Sequence, residues 1–229
     1  TTISFQYISQ IILTTQGLST SNLRKLNISS LRKMKTKRIG ITGNIGSGKS
    51  LVCKIFNHLG ISTFHSDEET KKLYFLPDIK KEIIGRFGDE VYFEDGSLNK
   101  KLLSYHLFQN KEALQFIEDL LYPKLNQVFD EWCEKQTSKY VLFESAILFE
   151  KNFDRQFDKI IFVSAPEDVR VKRAMQRDRC DEENVRSRMR LQWDEEMKIA
   201  KSDYIINNDG IEMLIPQVLR INSELRTKN

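Results

Sequence analysis

Eight consecutive residues, Gly43-Asn44-Ile45-Gly46-Ser47-Gly48-Lys49-Ser50, have the types and spacing of a phosphate-binding loop, G-x-x-x-x-G-K-[ST]. Glycines let the backbone curl until successive N–H groups converge on one phosphate. A helix starting where the loop ends adds partial positive charge at its N-terminus. Lys49 is placed to reach β- and γ-phosphates, and the Ser50 hydroxyl is suited to Mg²⁺. The bland alternative is a glycine-rich turn that binds nothing. Four fixed positions coincide by chance in on the order of one per cent of chains this long, which favours the binding loop.

Two further groups of residues could act on a phosphate held there. Asp67 follows His65-Ser66, at the carboxyl end of an expected strand. A carboxylate in that place can take a proton from an attacking hydroxyl or hold a water on Mg²⁺. It can equally be the N-cap of a helix starting at Glu68, and the residues alone leave both roles open. His65 is the one histidine close enough to Asp67 to matter. The second group is basic: Arg170, Lys172, Arg173, Arg177, Arg179, Arg186, Arg188 and Arg190, with Asp178, Asp181, Glu182 and Glu183 between them. A solvated helix with i,i+4 pairs accounts for some of these. A lid accounts for the rest: Arg173 and Arg177 lie four apart on one helix face, and Arg188 follows a break. Arginine suits a transferring phosphoryl group because its planar fork grips two oxygens and stays charged. The Asn207-Asn208-Asp209-Gly210 turn leaves Asn208 as a weaker candidate for lying against a nucleotide base.

These residues need a scaffold of alternating strands and helices, and the hydrophobic pattern supplies one. Residues 38–42, 61–65, 139–143, 159–163 and 204–206 read as short strands. Lys49 to Leu59 reads as a helix, with Leu51, Val52, Ile55, Phe56 and Leu59 at helical spacing. Residues 68–76, 78–87, 99–108 and 111–136 also read as helical, with Pro123 marking a kink or a boundary between two helices. Residues 166–197 form a long charged helical region broken near Cys180-Asp181, and 211–225 a closing helix. The fold class expected is α/β: a three-layer P-loop fold, with a parallel sheet and helices on both faces. The strandless stretch 68–136 is expected to stand over the carboxyl ends of the strands as a helical insertion, and residues 173–195 to form the lid.

Composition excludes several other classes. The three cysteines, Cys53, Cys133 and Cys180, make no C-x-x-C, so a disulfide framework or zinc site is not expected and a reducing compartment such as the cytoplasm is. No apolar run is long enough to span a bilayer. Arg24, Lys25, Arg32 and Lys33, in a stretch without acids, account for the whole net charge of +4, so residues 34–229 balance. A nucleic-acid-binding protein would spread positive charge over its folded domain, and none is expected as a partner. Residues 1–33 are expected to lie outside the fold, as sequence upstream of a start at Met34, a transit peptide or a tail, with one domain over 34–229.

Taken in order along the chain, these segments resemble the dephospho-CoA kinase family, from about Arg38 to Leu225. Residues 41–50 are similar to that family's T-G-G-I-G-S-G-K-S. Leu59-Gly60-Ile61 followed by Ser66-Asp67 resembles its second strand and catalytic Asp, and Phe87-Gly88 with Asp95-Gly96-Ser97-Leu98 its F-G…D-G-x-L. Ile147-Leu148-Phe149-Glu150 is similar to P-L-L-F-E, and Lys172-Arg173 with Met175 and Arg177-Asp178 to the start of its lid. Arg188 sits four residues before Gln192 as the family's lid arginine does, and residues 202–210 resemble A-D-x-V-I-D-N-x-G. Departures are Tyr122 for His, Ala146 for Pro, Glu144 for Asp, Leu51 for Thr and Asn207 for Asp. The resemblance implies ATP-dependent phosphorylation of the 3′-hydroxyl of dephospho-CoA, giving CoA and ADP, with Mg²⁺ held partly by Ser50. It implies that residues Gly43 through Leu51, with Arg173, Arg177 and Asn208, hold ATP, and that Asp67, Lys49 and Arg188 are catalytic. A monomer or small homo-oligomer is expected. The alternatives kept open are a P-loop kinase for another small alcohol and a nucleotide switch, the latter opposed by the lack of an N-K-x-D guanine-reading motif.

Overall fold

The computed structural model describes residues 36–227, so the expectations for residues 1–33 fall outside the described residues. Five strands make one sheet: β1 (Lys37–Thr42), β2 (Thr63–His65), β3 (Tyr140–Glu144), β4 (Lys159–Ser164) and β5 (Tyr204–Asn207). Their order is β2-β3-β1-β4-β5, and every neighbouring pair is parallel. Parallel neighbours need crossovers, which the helices supply. These are α1 (Lys49–His58), α2 (Ser66–Leu73), α3 (Pro77–Phe87), α4 (Lys100–Gln109), α5 (Lys111–Glu134), α6 (Glu167–Asp178), α7 (Glu182–Met189), α8 (Glu195–Ala200) and α9 (Leu214–Thr227).

The continuously apolar strands are explained by burial on both faces. In β3, Val141 and Phe143 join Phe64 of β2 and the apolar stripes of α2 to α5 in one cluster. Tyr140 and Leu142 point the other way, into a cluster with Ile39, Ile41 and Val163 and with helices α1 and α9. Three layers follow from this alternation, as the α/β expectation required. Register then decides where the chemistry lies. Ile41 and His65 both stand beside Glu144, Thr42 beside Phe162, and Ser164 beside Asn207, so the strands end together along one edge.

The structure corrects several expected boundaries. Helix α2 begins at Ser66, with His65 at its N-cap position, so Asp67 lies in the first turn and is not the cap. Helix α5 runs unbroken from Lys111 to Glu134 with Pro123 inside it, and there is no boundary between two helices. Its buried stripe of Ala113, Ile117, Leu121, Leu125 and Phe129 continues across the proline. That burial outweighs the roughly 3 kcal/mol that an internal proline costs a helix. The region 166–197 breaks twice. Arg179, in the left-handed conformation at φ 52°, ends α6, and Asp181 caps α7 by accepting from Asn184 N at 2.8 Å. A second break separates Met189 from Glu195. Helix α9 starts at Leu214, because Asp209 first accepts the N–H groups of Ile211 and Glu212 in a turn. Among the described residues no helix is long and apolar enough to cross a membrane.

Phe129 is fully buried, its ring centroid 5.0 Å from that of Phe64 and 4.9 Å from that of Phe143, so it joins α5 to the sheet. Phe129→Ala is expected to lower unfolding free energy by about 3–5 kcal/mol, measured by urea titration. A loss below about 1 kcal/mol would mean that the helices α2 to α5 do not depend on this contact.

Candidate active site

The loop between β1 and α1 is closely packed against residues from distant parts of the chain. Gly46 lies at φ 78°, and a Cβ there would sit 2.2 Å from the Arg170 carbonyl oxygen; Gly48 lies at φ 94°, and a Cβ would sit 2.1 Å from Asn208 Nδ2. Both conformation and space therefore demand glycine. Gly48 is the N-cap of α1, with no side-chain cap and no acid in the first turn, which leaves the helix's leading N–H groups for a ligand. Leu51 N–H turns back to Gly48 O at 3.0 Å and its side chain is half exposed. Asn44 Oδ1 and Ser47 Oγ are buried without a protein partner.

Lys49 is buried, and its Nζ donates to Gly43 O at 2.8 Å. Burial pushes its ammonium below the ordinary lysine range, and the charges of Glu144 and then Asp67 oppose that push. Asp67 is shifted upward, first by burial and then by the charge of Glu144, with Lys49 pulling it back. His65 Nδ1 lies 3.1 Å from Glu144 Oε2, with the imidazole N–H donating. That bond, ahead of any other cause, raises the His65 pKa.

The arginine-bearing segment meets this edge from α6 and α7. Asp178 joins the two limbs: it accepts from Arg177 at 2.7 and 3.0 Å and pairs with Arg188 Nη2 at 2.8 Å. These guanidinium groups, Arg177 first, hold its carboxyl down to about 2. Other members of the basic cluster belong to a solvated face, such as Arg186 with Glu182 at i,i+4. Arg170 is buried beneath the loop, its Nε donating to Ala165 O at 2.9 Å.

A cleft of about 870 Å³ collects Ile45, Lys49, Ser50, Asp67, Arg177 and Arg188. Arg173 and Asn208, also expected at the site, line a different place. Arg173 Nη1 donates to Asn208 O at 3.0 Å, and Asn208 Nδ2 donates to Ser47 O at 2.7 Å, so the pair braces the loop beside Gly48. Glu144 and Gln192 are cleft residues to which the sequence reading gave no role. Glu144 was noted only as a departure, yet it ends a buried strand as Asp67 follows one, and the same rule would have found it. Gln192 was noted only for its spacing from Arg188; its side chain accepts from Ile45 N–H at 2.8 Å and donates to Ala146 O at 3.1 Å. No local signal announces that bridge. Tyr122 in α5 packs edge-on against Phe153, ring centroids 5.1 Å apart.

Comparison with known proteins shows the family. A model of the dephospho-CoA kinase family matches residues 37–213. A dephospho-CoA kinase of Bacteroides fragilis is 39% identical over 186 residues, 80% of this chain and 90% of its own length. One from Porphyromonas gingivalis is 37% identical over 193 residues, covering 83% and 95%. Among solved structures, TT1252 from Thermus thermophilus matches with a TM-score of 0.75 at 27% identity, over 84% of this chain and 98% of that one. A dephospho-CoA kinase from Campylobacter jejuni matches with a TM-score of 0.60 at 25% identity, over 82% and 96%.

The His65–Glu144 contact has a pH signature. Because the folded-state pKa of His65 is raised, the pair's contribution to stability is full below the unfolded value of about 6.5 and is lost as pH rises through the folded value. In Glu144→Gln the imidazole is expected to titrate at lower pH than in the parent protein, followed by NMR of the ring proton. An unchanged titration would remove Glu144 as the cause.

Proposed function

Because this chain belongs to the dephospho-CoA kinase family, we propose that it transfers the terminal phosphoryl group of ATP to the 3′-hydroxyl of dephospho-CoA, giving CoA and ADP. The observation that carries this reading is one cleft holding the loop lysine Lys49, the strand-end carboxylate Asp67 and the lid arginines Arg177 and Arg188. The P-loop N–H groups and Lys49 hold the donor phosphates, with Arg173 and Asn208 beside the loop supporting the nucleotide. The fit rests on the glycine cradle that a Cβ would fill and on the uncapped start of α1. Ser50 Oγ, with the Glu144 carboxylate in the same cleft, suits Mg²⁺, which takes few protein oxygens and keeps waters and phosphates. When bound, the ion supplies positive charge against the β- and γ-phosphate oxygens.

In the step itself, Asp67 accepts the proton of the 3′-hydroxyl as its oxygen bonds to the γ-phosphorus and the bond to the ADP oxygen breaks. Arg188, with Arg177, meets the charge spread over the transferring oxygens. Burial suits Asp67 to this role, since a raised pKa makes it the stronger base. Helices α2 to α5, following β2, hold the acceptor over the strand ends. The three free thiols suit a reducing compartment such as the cytoplasm.

The direct test is incubation of the protein with ATP, Mg²⁺ and dephospho-CoA, with CoA and ADP read by mass spectrometry. Equal amounts of CoA and ADP are expected, and turnover is expected to stop when EDTA removes the metal. ADP without CoA would redirect the reading to another acceptor. Asp67→Asn is expected to lower kcat by on the order of 10²–10⁴ while leaving ATP binding within a few-fold. Near-normal turnover in that variant would refute the base assignment.

A further inference from the structure

We propose that Gln192 is a positioning residue for phosphoryl transfer, tying the crest of the P-loop and the loop after β3 to the limb that carries Arg188. The inference rests on the kinase reading above and goes beyond it in assigning work to a residue that reading leaves without a role. Gln192 uses both ends of its amide: Oε1 accepts from Ile45 N–H at 2.8 Å, and Nε2 donates to Ala146 O at 3.1 Å. One acceptor and one donor on a single neutral group are what these two backbone partners require. A carboxylate lacks the donor and an ammonium lacks the acceptor. A neutral bridge also adds no charge to compete with the phosphates.

The limb that presents Gln192 is itself anchored. Trp193 N–H donates to Glu150 Oε1 at 3.0 Å, and its ring stacks on Phe149, centroids 6.4 Å apart and 10° from parallel. Lys198, fully buried in α8, pairs with Glu150 at 2.6 Å and donates to the same Ala146 carbonyl at 3.3 Å. On the other side the chain is turned tightly back to Arg188: Leu191 N–H reaches Arg188 O at 3.3 Å and Gln192 N–H reaches Met189 O at 3.0 Å. Arg188, Ile45, Ala146 and Gln192 all line the cleft that holds Lys49 and Asp67. Gln192 therefore sets the distance between the lid arginine and the loop that holds the phosphates. Misplacement by about 1 Å at such a site can cost on the order of 10²-fold in rate.

Gln192→Met keeps length and shape but neither hydrogen bond, and Gln192→Glu keeps an acceptor for Ile45 while losing the donor to Ala146. CoA and ADP formation are measured separately for both variants and the parent protein, with thermal melts alongside. In Gln192→Met, kcat is expected to fall about 10- to 100-fold while the KM for ATP stays within about threefold, and ADP formed is expected to exceed CoA formed as water replaces the misplaced acceptor. Gln192→Glu sets an acceptor against the Ala146 carbonyl and a negative charge in the phosphate cleft, and its kcat is expected to fall at least as far. The positioning role is overturned if kcat of Gln192→Met stays within about twofold of the parent, if the loss appears only in the KM for ATP, or if activity falls only in step with the folded fraction. A parent protein that forms no CoA strikes the acceptor assignment instead, which keeps the two failures apart.

Discussion

Everything at this site depends on how closely distant parts of the chain approach the backbone of residues 43–48. Gly46 lies against the Arg170 carbonyl at the start of α6, and Gly48 against the Asn208 amide after β5. There is no room for a side chain at either glycine, so the loop has one available path. Along that path the first turn of α1 has no side-chain cap. Loop conformation is thus set by neighbours from distant parts of the chain, and those neighbours are themselves positioned by the parallel register of β1 with β4 and of β4 with β5.

Charge at the strand ends follows from the same register. Glu144 ends β3 beside His65 and Ile41, which brings its carboxylate within influence of both Lys49 and Asp67. Burial works against ionisation of both the lysine and the aspartate, and their mutual attraction works for it. Glu144 favours the charged lysine and disfavours the charged aspartate. Lys49 and Asp67 thus share one place with a third, partly buried charge that draws the lysine back toward its charged form and adds to the burial that raises the aspartate.

The arginine-bearing segment is held at two levels of strength. Asp178 links Arg177 to Arg188 near the surface, where solvent screening keeps such pairs weak. Glu150 and Lys198 pair in the interior, where removing one partner would strand a charge. The segment therefore has a firm root at 193–198 and lightly tied arginines above it, a division suited to a limb whose tip moves while its base does not.

Much of this was legible in the residues themselves. Lys49, Ser50 and the glycines of the loop announce their chemistry because phosphate binding is a local property of backbone curl and a helix start. The order of strands and helices was legible from hydrophobic period, since two-sided burial leaves continuous apolar strands such as Val141-Leu142-Phe143. Boundaries that depend on distant contacts were not. Pro123 stays inside α5 because Leu121 and Leu125 on either side of it are buried in one core cluster. The break before Glu195 exists because Trp193 and Gln192 find partners in residues 146–150 and at Ile45. Asp67 could be an N-cap until α2 was seen to begin at Ser66, and Glu144 stood only as a departure until its strand lay beside β2. Sequence spacing encodes what neighbouring residues do together; which far residues meet was decided only when the sheet set its register and the helices closed over it.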